Sequence, residues 1–175
     1  MIIIHRSTFA FAFTLLLAAC NNGNPGDSNA VRRHFSIDNG AVAVHAAGAA
    51  DAIVDPAGNL SIGGKSVDTT AAQRTLLAHY HAEVFTLRNE GIALGRAGIK
   101  TAGTAVASVV EGLASGDPNT IGDKVEAQAK QVEAHVGNLC DTLRDLRSTQ
   151  ELIVRQLPAF QAYATINADE VDHCR

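Results

Sequence analysis

Few side chains in this sequence stand at spacings that suggest metal chemistry. His79 and Glu83 are four residues apart, so a helix would place them on one face as two metal ligands. We expect them instead to be solvated positions opposite an apolar stripe. The acidic tail could also hold a cation, although such tails are usually only solvated; its candidate ligands are Asp169, Glu170, Asp172 and His173.

Nucleophilic catalysis also lacks a recognisable pattern. Ser66 and Asp68 are close in sequence, but no spacing identifies a histidine that would complete a triad with them. The chain contains no Gly-x-Ser-x-Gly, phosphate-binding loop, His-Glu-x-x-His or paired-Cys metal signature. We therefore expect no enzymatic activity, no catalytic residue, no metal site and no cofactor.

The N-terminus has the features of an export signal. Arg6 precedes an apolar run at 9–17, which is too short to span a bilayer as a helix. The run leads into LAAC at 17–20, which resembles the bacterial lipobox. The resemblance implies that Cys20 is acylated, with palmitate among its lipids, and becomes the mature N-terminus; an ordinary secretory signal with a chance cysteine is the alternative. Asn21, where inner-membrane lipoproteins tend to have Asp, favours the outer membrane.

Two further cysteines remain if Cys20 is lipidated. Cys140 and Cys174 would then be an even pair in an oxidising compartment, where disulfides form. A helix from 140 to 157 covers about 25 Å, and the extended tail is long enough to return over that distance. We predict a Cys140–Cys174 disulfide, with two free thiols as the alternative. Neither cysteine lies in a Cys-x-x-Cys motif, which disfavours a catalytic thiol.

Length and composition limit the class of protein. The 175 residues are enough for one modest domain. A hydrophobic content of 46% is too high for a disordered chain. The formal net charge of −4 argues against a nucleic-acid partner.

Residues 31–68 predict a small antiparallel β-meander. Asn39-Gly40 lies between two alternating apolar runs, which is a strong hairpin signal. The segment 56–59 and Gly63-Gly64 predict two more tight turns. Strands this short form a marginal sheet, so one face must pack on the helices that follow.

Residues 69–157 predict an antiparallel helical hairpin, followed by a tail at 158–175. Thr70 and Gln73 fit a capping box that begins the first helix. Gly116 and Pro118 end it, and the second helix spans about 120–157. The apolar stripe of the first helix begins with Leu77, Tyr80, Val84, Leu87, Gly91 and Leu94. We expect it to continue one position over along the rod, with Ile92, Gly95, Ile99, Ala102, Val106, Val109 and Leu113.

Small residues form a second feature of the first helix. Gly91, Gly95, Gly98 and Ala102 would let another backbone approach closely. Three interpretations compete for this surface: packing within the chain, contact with a second copy or another envelope protein, and insertion into a membrane. Arg96 and other charges in the segment disfavour the third.

The segment IVDPAGNLSIGGKSVDTTAAQRTLLAHY at 53–80 is similar to the YggN-like family of uncharacterised proteobacterial periplasmic proteins and lipoproteins. In that family a turn, a short hairpin and a helix recur in the same order. The matching residues are Leu60, Ile62, Gly64, Lys65, Val67, Ala71, Ala72, Gln73, Arg74, Leu76, Leu77 and Tyr80. The resemblance implies an envelope location and this architecture, but no activity.

We therefore predict an α+β fold, with a β-meander packed on a long helical hairpin, in a single domain at 31–175. A signal peptide at 1–19 and a polar tether at 20–30 would precede it. The expected function is that of a periplasmic lipoprotein anchored in the outer membrane, with a non-enzymatic structural or interaction role. A small-ligand or lipid-binding protein, with its site between sheet and helices, is the alternative.

Overall fold

The computed structural model describes residues 34–115 and 119–174, with their side chains except at 109–124. The predicted signal peptide, the lipidation site Cys20 and the tether at 20–30 lie outside the described residues. Five strands come first in the chain, followed by two long helices, a 3-10 helix and a short helix. The fold is α+β, as predicted: an antiparallel five-stranded sheet is packed against a long pair of helices.

The sheet is a simple meander in which each strand pairs with the next one along the chain. Positive φ angles at Asn39 (49°) and Gly40 (80°) form the two-residue turn that Asn-Gly predicts. The glycines at 58, 63 and 64 also have positive φ and lie in the later turns. The strands are β1 (Phe35–Asp38), β2 (Ala41–Val44), β3 (Ala52–Val54), β4 (Leu60–Ile62) and β5 (Lys65–Val67).

The two faces of the sheet differ because side chains alternate along each strand. One face is buried against the helices and carries Phe35, Val42, Val44, Ala52, Val54 and Leu60. The other face is open to solvent. Its cross-strand row runs from Ser36 through Ala43, Ile53 and Ser61 to Ser66.

The helical hairpin consists of α1 (Ala71–Ser115) and α2 (Asn119–Gln156). The predicted capping box is present: the Thr70 amide donates to Gln73 Oε1 at 2.8 Å, and the Gln73 amide donates to Thr70 Oγ1 at 3.3 Å. Gln73 Nε2 also donates to the Gln156 carbonyl at 2.7 Å, which joins the start of α1 to the end of α2. In their described residues, neither helix has an apolar stretch of the kind needed to cross a membrane.

Aromatic rings fill the core where the sheet meets the helices. Tyr80 is fully buried and packs edge-on against Phe160, with ring centroids 5.4 Å apart, and against Phe35 at 6.1 Å. Phe160 and Tyr163 come from the 3-10 helix Pro158–Tyr163, which begins where Pro158 ends α2. His81 Nε2 donates to the Gly40 carbonyl at 2.7 Å and so ties the first hairpin to α1.

The tail is held against the helices by polar contacts and one covalent bond. The buried Gln150 side chain donates to the Ile166 carbonyl at 3.0 Å and accepts from the Ile166 amide at 3.3 Å. The last helix, α3 (Ala168–Asp172), places Cys174 beside α2. Cys174 forms a disulfide with Cys140, with their Cα atoms 5.5 Å apart, as predicted.

The helical pair has two parts with different surroundings. On α1, the residues of the buried core end at Leu87. We therefore use "base" for the sheet with 71–90 and 138–172, and "arm" for 91–115 of α1 and 119–137 of α2. Nearly the whole hydrophobic core lies in the base, so the arm depends mainly on the contact between its two helices.

Candidate functional site

One line of apolar residues on the arm faces solvent. Ile92 is 38% exposed, Ile99 is 63% exposed and Val106 is 68% exposed. Gly95 and Ala102 lie between them on the same line and are also exposed. The five positions follow the a and d sites of a heptad repeat, and we call them the arm stripe. A row of this kind is the usual contact face of one helix with another.

The predicted drift of the α1 core onto this line is wrong. The shielded positions of α1 in the arm instead continue the phase of Leu87 without a shift: Leu94 and Thr101 are half-buried, and Ser108 is 3% exposed. We call these three positions the inner row of the arm. Beyond Leu94, small polar side chains therefore occupy the shielded side, while Ile99 and Val106 point away from it. Hydrophobicity alone misassigned this part of the inner face because Thr101 and Ser108 carry no apolar signal.

The predicted interaction surface lies on and beside the arm stripe. Gly91, Gly95, Gly98 and Ala102 are all exposed. A Cβ atom added at any of the three glycines would meet nothing within 4 Å outside its own helical backbone. Packing within the described chain, one of the three interpretations of this surface, is therefore excluded for these glycines.

The disulfide borders a groove on the outer side of α2. Its volume is about 550 Å³, and its lining combines apolar and charged side chains: Val132, Glu133, Val136, Gly137, Arg144 and the Cys140–Cys174 pair. The groove is open to solvent. It does not lie between the sheet and the helices, which is where we expected a ligand site if the protein were a binder.

His79 and Glu83, which we expected to be solvated, form a polar contact between the two helices. The expectation is wrong for Glu83, whose side chain is only 12% exposed, whereas the His79 side chain is 64% exposed. His79 Nδ1 lies 3.2 Å from Glu83 Oε1, and the Thr149 hydroxyl donates to the same oxygen at 3.0 Å. Burial raises the pKa of Glu83; the Thr149 hydrogen bond and His79 oppose this rise, and Asp145 adds to it. Burial likewise raises the pKa of Tyr80.

Three of the four candidate ligands of the tail, Asp169, Glu170 and His173, take part in structural contacts. The Asn167 amide donates to Glu170 Oε2 at 3.2 Å, and the Glu170 amide donates to Asn167 Oδ1 at 3.0 Å, which makes a capping box for α3. Glu170 also pairs with His34 at 3.2 Å, and His173 Nδ1 donates to the Asp169 carbonyl at 2.6 Å. Within the described part of the chain, no three His, Cys, Asp or Glu side chains converge as a metal site would require.

A Ser–His–Asp constellation that sequence reasoning missed lies on the solvent face of the sheet. The Ser36 hydroxyl is 2.9 Å from His45 Nε2, and His45 Nδ1 is 2.8 Å from Asp51 Oδ1. The three side chains come from β1, from the residue after β2 and from the residue before β3. The sequence offered one weak indication of this contact. Ser36 and His45 flank the Asn39-Gly40 turn, so they lie on strands that must pair.

Comparison with known proteins places the chain in a family. The model of a family described as "Protein of unknown function (DUF2884)" matches residues 30–120, which is more than half of the chain. The chain belongs to the DUF2884 family. No curated protein and no solved structure matches it.

The DUF2884 match includes the Ser–His–Asp constellation and the arm stripe. It includes the whole sheet, with Ser36, His45 and Asp51, and the part of α1 that carries the arm stripe. The Cys140–Cys174 disulfide and its groove lie outside the match. The features that the family match covers are therefore the sheet surface and α1.

Proposed function

We propose that this DUF2884 protein is a periplasmic lipoprotein, anchored in the outer membrane through acylated Cys20, with a structural or interaction role. Its contact surface is the arm stripe, and the partner is a second copy of the chain. The observation that carries the proposal is the exposure of Ile92, Ile99 and Val106 along one line of α1. This role requires no catalysis, no metal and no cofactor.

The sequence supports the membrane anchor. The apolar run at 9–17 leads directly into LAAC at 17–20, and Asn21 follows the cysteine. Acyl chains contribute about 0.8 kcal/mol per buried CH₂ group, so two or more chains hold a protein firmly. The polar tether at 20–30 would leave the folded part free to meet other molecules at the membrane surface.

The alternation of side-chain size favours a second copy as the partner. Large residues of the stripe occupy the a sites, and Gly95 and Ala102 occupy the d sites. In an antiparallel pair, a sites of one helix face d sites of the other. Ile99 would then lie opposite Ala102 of the second copy, and Val106 opposite Gly95. These two large side chains would each meet a small one, so the stripe from Gly95 to Val106 is complementary to itself.

The charges of α1 are compatible with the antiparallel pair. From 91 to 108 the helix carries Arg96 and Lys100 and no carboxylate. In the register described above, the two Arg96 positions are about 13 Å apart along the axis, which is beyond the screening length of about 8 Å in physiological salt. The two Lys100 positions lie at nearly the same height, but Lys100 is roughly a third of a turn away from the stripe, so both side chains can extend into solvent.

The experiment measures oligomeric state in the full lipoprotein. Outer membranes from cells that express the protein are treated with a short photo-activated cross-linker that does not require an amine. In a second measurement, detergent extracts of the membranes are analysed by sedimentation velocity. The wild type is expected to be a dimer. Ile99→Asp, which places a charge in the stripe, is expected to be a monomer. Leu152→Asp is the matched control because Leu152 is a 40% exposed aliphatic residue of the base, outside the stripe.

The outcomes separate the anchor from the pairing. Cys20→Ser should remove the protein from the outer-membrane fraction, and unchanged fractionation would contradict the anchor. A wild-type monomer at all concentrations, or equal effects of the two Asp substitutions, would contradict pairing through the stripe. Cross-linking to a different envelope protein, lost in Ile99→Asp, would also overturn the second copy as the partner.

A further inference from the structure

The solvent face of the sheet carries three residues with the mutual geometry of an acyl-transfer site. We propose that Ser36 is a nucleophile, that His45 is its general base and that Asp51 positions His45. The substrates would be small carboxylic esters that reach the sheet from solution. This activity is independent of the pairing through the arm stripe, and it departs from the sequence-based expectation of no catalysis.

The backbone holds each of the three side chains in place. Ser36 pairs with Ala43 across β1 and β2, and His45 lies two residues further on the same face. The His45 amide donates to the His34 carbonyl at 2.8 Å, which extends the β1–β2 ladder to His45 itself. The Asp51 carbonyl accepts from the Gly63 amide at 3.0 Å. Sites built on sheet backbone hold their geometry better than sites on free loops.

The hydrogen bonds assign a role to each nitrogen of His45. An ionised Asp51 can only accept, so Nδ1 carries a proton and donates to Asp51 Oδ1 at 2.8 Å. Nε2 is then the unprotonated nitrogen, and it accepts from the Ser36 hydroxyl at 2.9 Å. A nucleophile bonded to a base, with the base oriented by a third group, is the arrangement that activates a serine.

The free edge of the sheet supplies a donor next to Ser36. In an antiparallel ladder, residues alternate between pointing their amides at the partner strand and away from it. His34 and Ser36 belong to the pairs bonded to β2, so the amide of Ile37 points outward. Within the described sheet, β1 pairs with β2 alone. The residue after a nucleophile commonly supplies an amide to the oxyanion, and Ile37 is in that position.

The surroundings of the site determine the class of substrate. The side chains of His45 and Asp51 are 32% and 54% exposed, and Ser36 is also exposed. An ester can therefore reach the Ser36 oxygen without a conformational change. An open site of this kind offers little surface for selecting a large substrate, which favours small esters with good leaving groups.

The reaction balances with water as the second reactant. Ser36 Oγ bonds to the carbonyl carbon as its proton passes to His45 Nε2. The ester C–O bond then breaks, and the leaving oxygen takes the proton from His45. Water attacks the acyl-serine and gives a proton to His45, and Ser36 Oγ recovers a proton as the acid departs. One ester and one water yield one alcohol and one acid.

The test uses the full mature lipoprotein in detergent, with an alkyl fluorophosphonate probe and p-nitrophenyl acetate. We expect one probe adduct per chain, mapped to Ser36 by peptide mass spectrometry, and slow ester hydrolysis. Ser36→Ala should abolish both. His45→Gln should slow labelling by about 10²–10⁴-fold, the usual contribution of a general base. Ser66→Ala is the matched control because Ser66 is an exposed serine on the same face, on β5.

Asp51→Asn tests whether Asp51 acts through His45. It should slow labelling and also change its pH profile, which loss of a merely structural contact would not do. Labelling of Ser66 as fast as Ser36, or a Ser36 rate unchanged in His45→Gln, would overturn the proposal. The comparison of Ser36 with Ser66 is made within the wild-type protein, so it decides the question even if a variant unfolds.

Discussion

The base and the arm use the same two helices in different ways. In the base, Leu77, Tyr80 and Phe160 are completely buried, and aromatic rings pack edge-on between sheet and helices. In the arm, Ser108 is the sole buried residue among the described side chains at 91–108 and 125–137. One helix therefore passes from a large apolar interface to a narrow one made by small and polar residues.

The contrast indicates how stability and contact surface are divided along the chain. Burial of large side chains gives the base most of the favourable free energy of folding. The arm buries little, yet it turns Ile99 and Val106 toward solvent, where about two thirds of each residue is exposed and adds little to the stability of a single chain. Large apolar residues that a fold leaves exposed in a regular row are typical of interaction surfaces.

The first prediction compares the same substitution in the two parts of α1. Leu77→Ala should lower the free energy of unfolding by about 2–5 kcal/mol, since it leaves a cavity at a fully buried site in the base. Leu94→Ala, in the half-buried inner row of the arm, should cost about 1 kcal/mol. Urea unfolding followed by circular dichroism measures both. Equal costs would show that the arm is packed as tightly as the base.

The second prediction uses glycine to alanine changes, which should have opposite signs in the two parts. Gly58 has a φ of +78°, and a Cβ there would overlap the Arg74 carbonyl oxygen on α1. Gly58→Ala should therefore cost at least about 2 kcal/mol. Gly98→Ala in the arm meets open space, and the better helix propensity of alanine should stabilise the protein by up to about 1 kcal/mol. Thermal unfolding of the two variants measures the difference; a loss of stability in Gly98→Ala would contradict an open face at this position.

Local signals in the sequence were sufficient to predict much of the base. The Asn39-Gly40 turn depends on residues that tolerate positive φ, and the Thr70–Gln73 capping box depends on side chains three residues apart. The Cys140–Cys174 bond followed from chain length and helix rise. Each of these features is determined by nearby residues or by simple distance, and such features can be read without knowing the packing.

Features that depend on packing between distant elements were predicted less well. The inner row of the arm contains Thr101 and Ser108, whose burial follows from the approach of α2 and has no hydrophobic signal of its own. Ser36, His45 and Asp51 come together only through strand register, and a shift of one residue would move Ser36 to the other face. The direct contact of Glu83 with Thr149 was also hidden, because it joins residues 66 positions apart.

The last prediction compares a carboxylate of the base with one of the arm, and its effect is the smallest. Burial raises the pKa of Glu83 above its ordinary value of 4.5, so the folded protein binds this proton more tightly than the unfolded chain does. The resulting stabilisation is fully present below pH 4.5 and is lost as pH rises through the folded-state pKa. At neutral pH, the ionised carboxylate keeps the Thr149 hydrogen bond but carries a poorly solvated charge.

Glu83→Gln removes this charge and retains a carbonyl oxygen that can accept from Thr149. The free energy of unfolding of Glu83→Gln, minus that of wild type, should therefore increase as pH rises from 4 to 7. Glu133→Gln, at an exposed carboxylate of the arm, is the control, and its difference from wild type should vary little over the same range. Urea unfolding at a series of pH values measures both differences. If the Glu83→Gln difference is as flat as that of the control, the carboxylate is solvated, and the helix contact in this part of the base is as open as the arm.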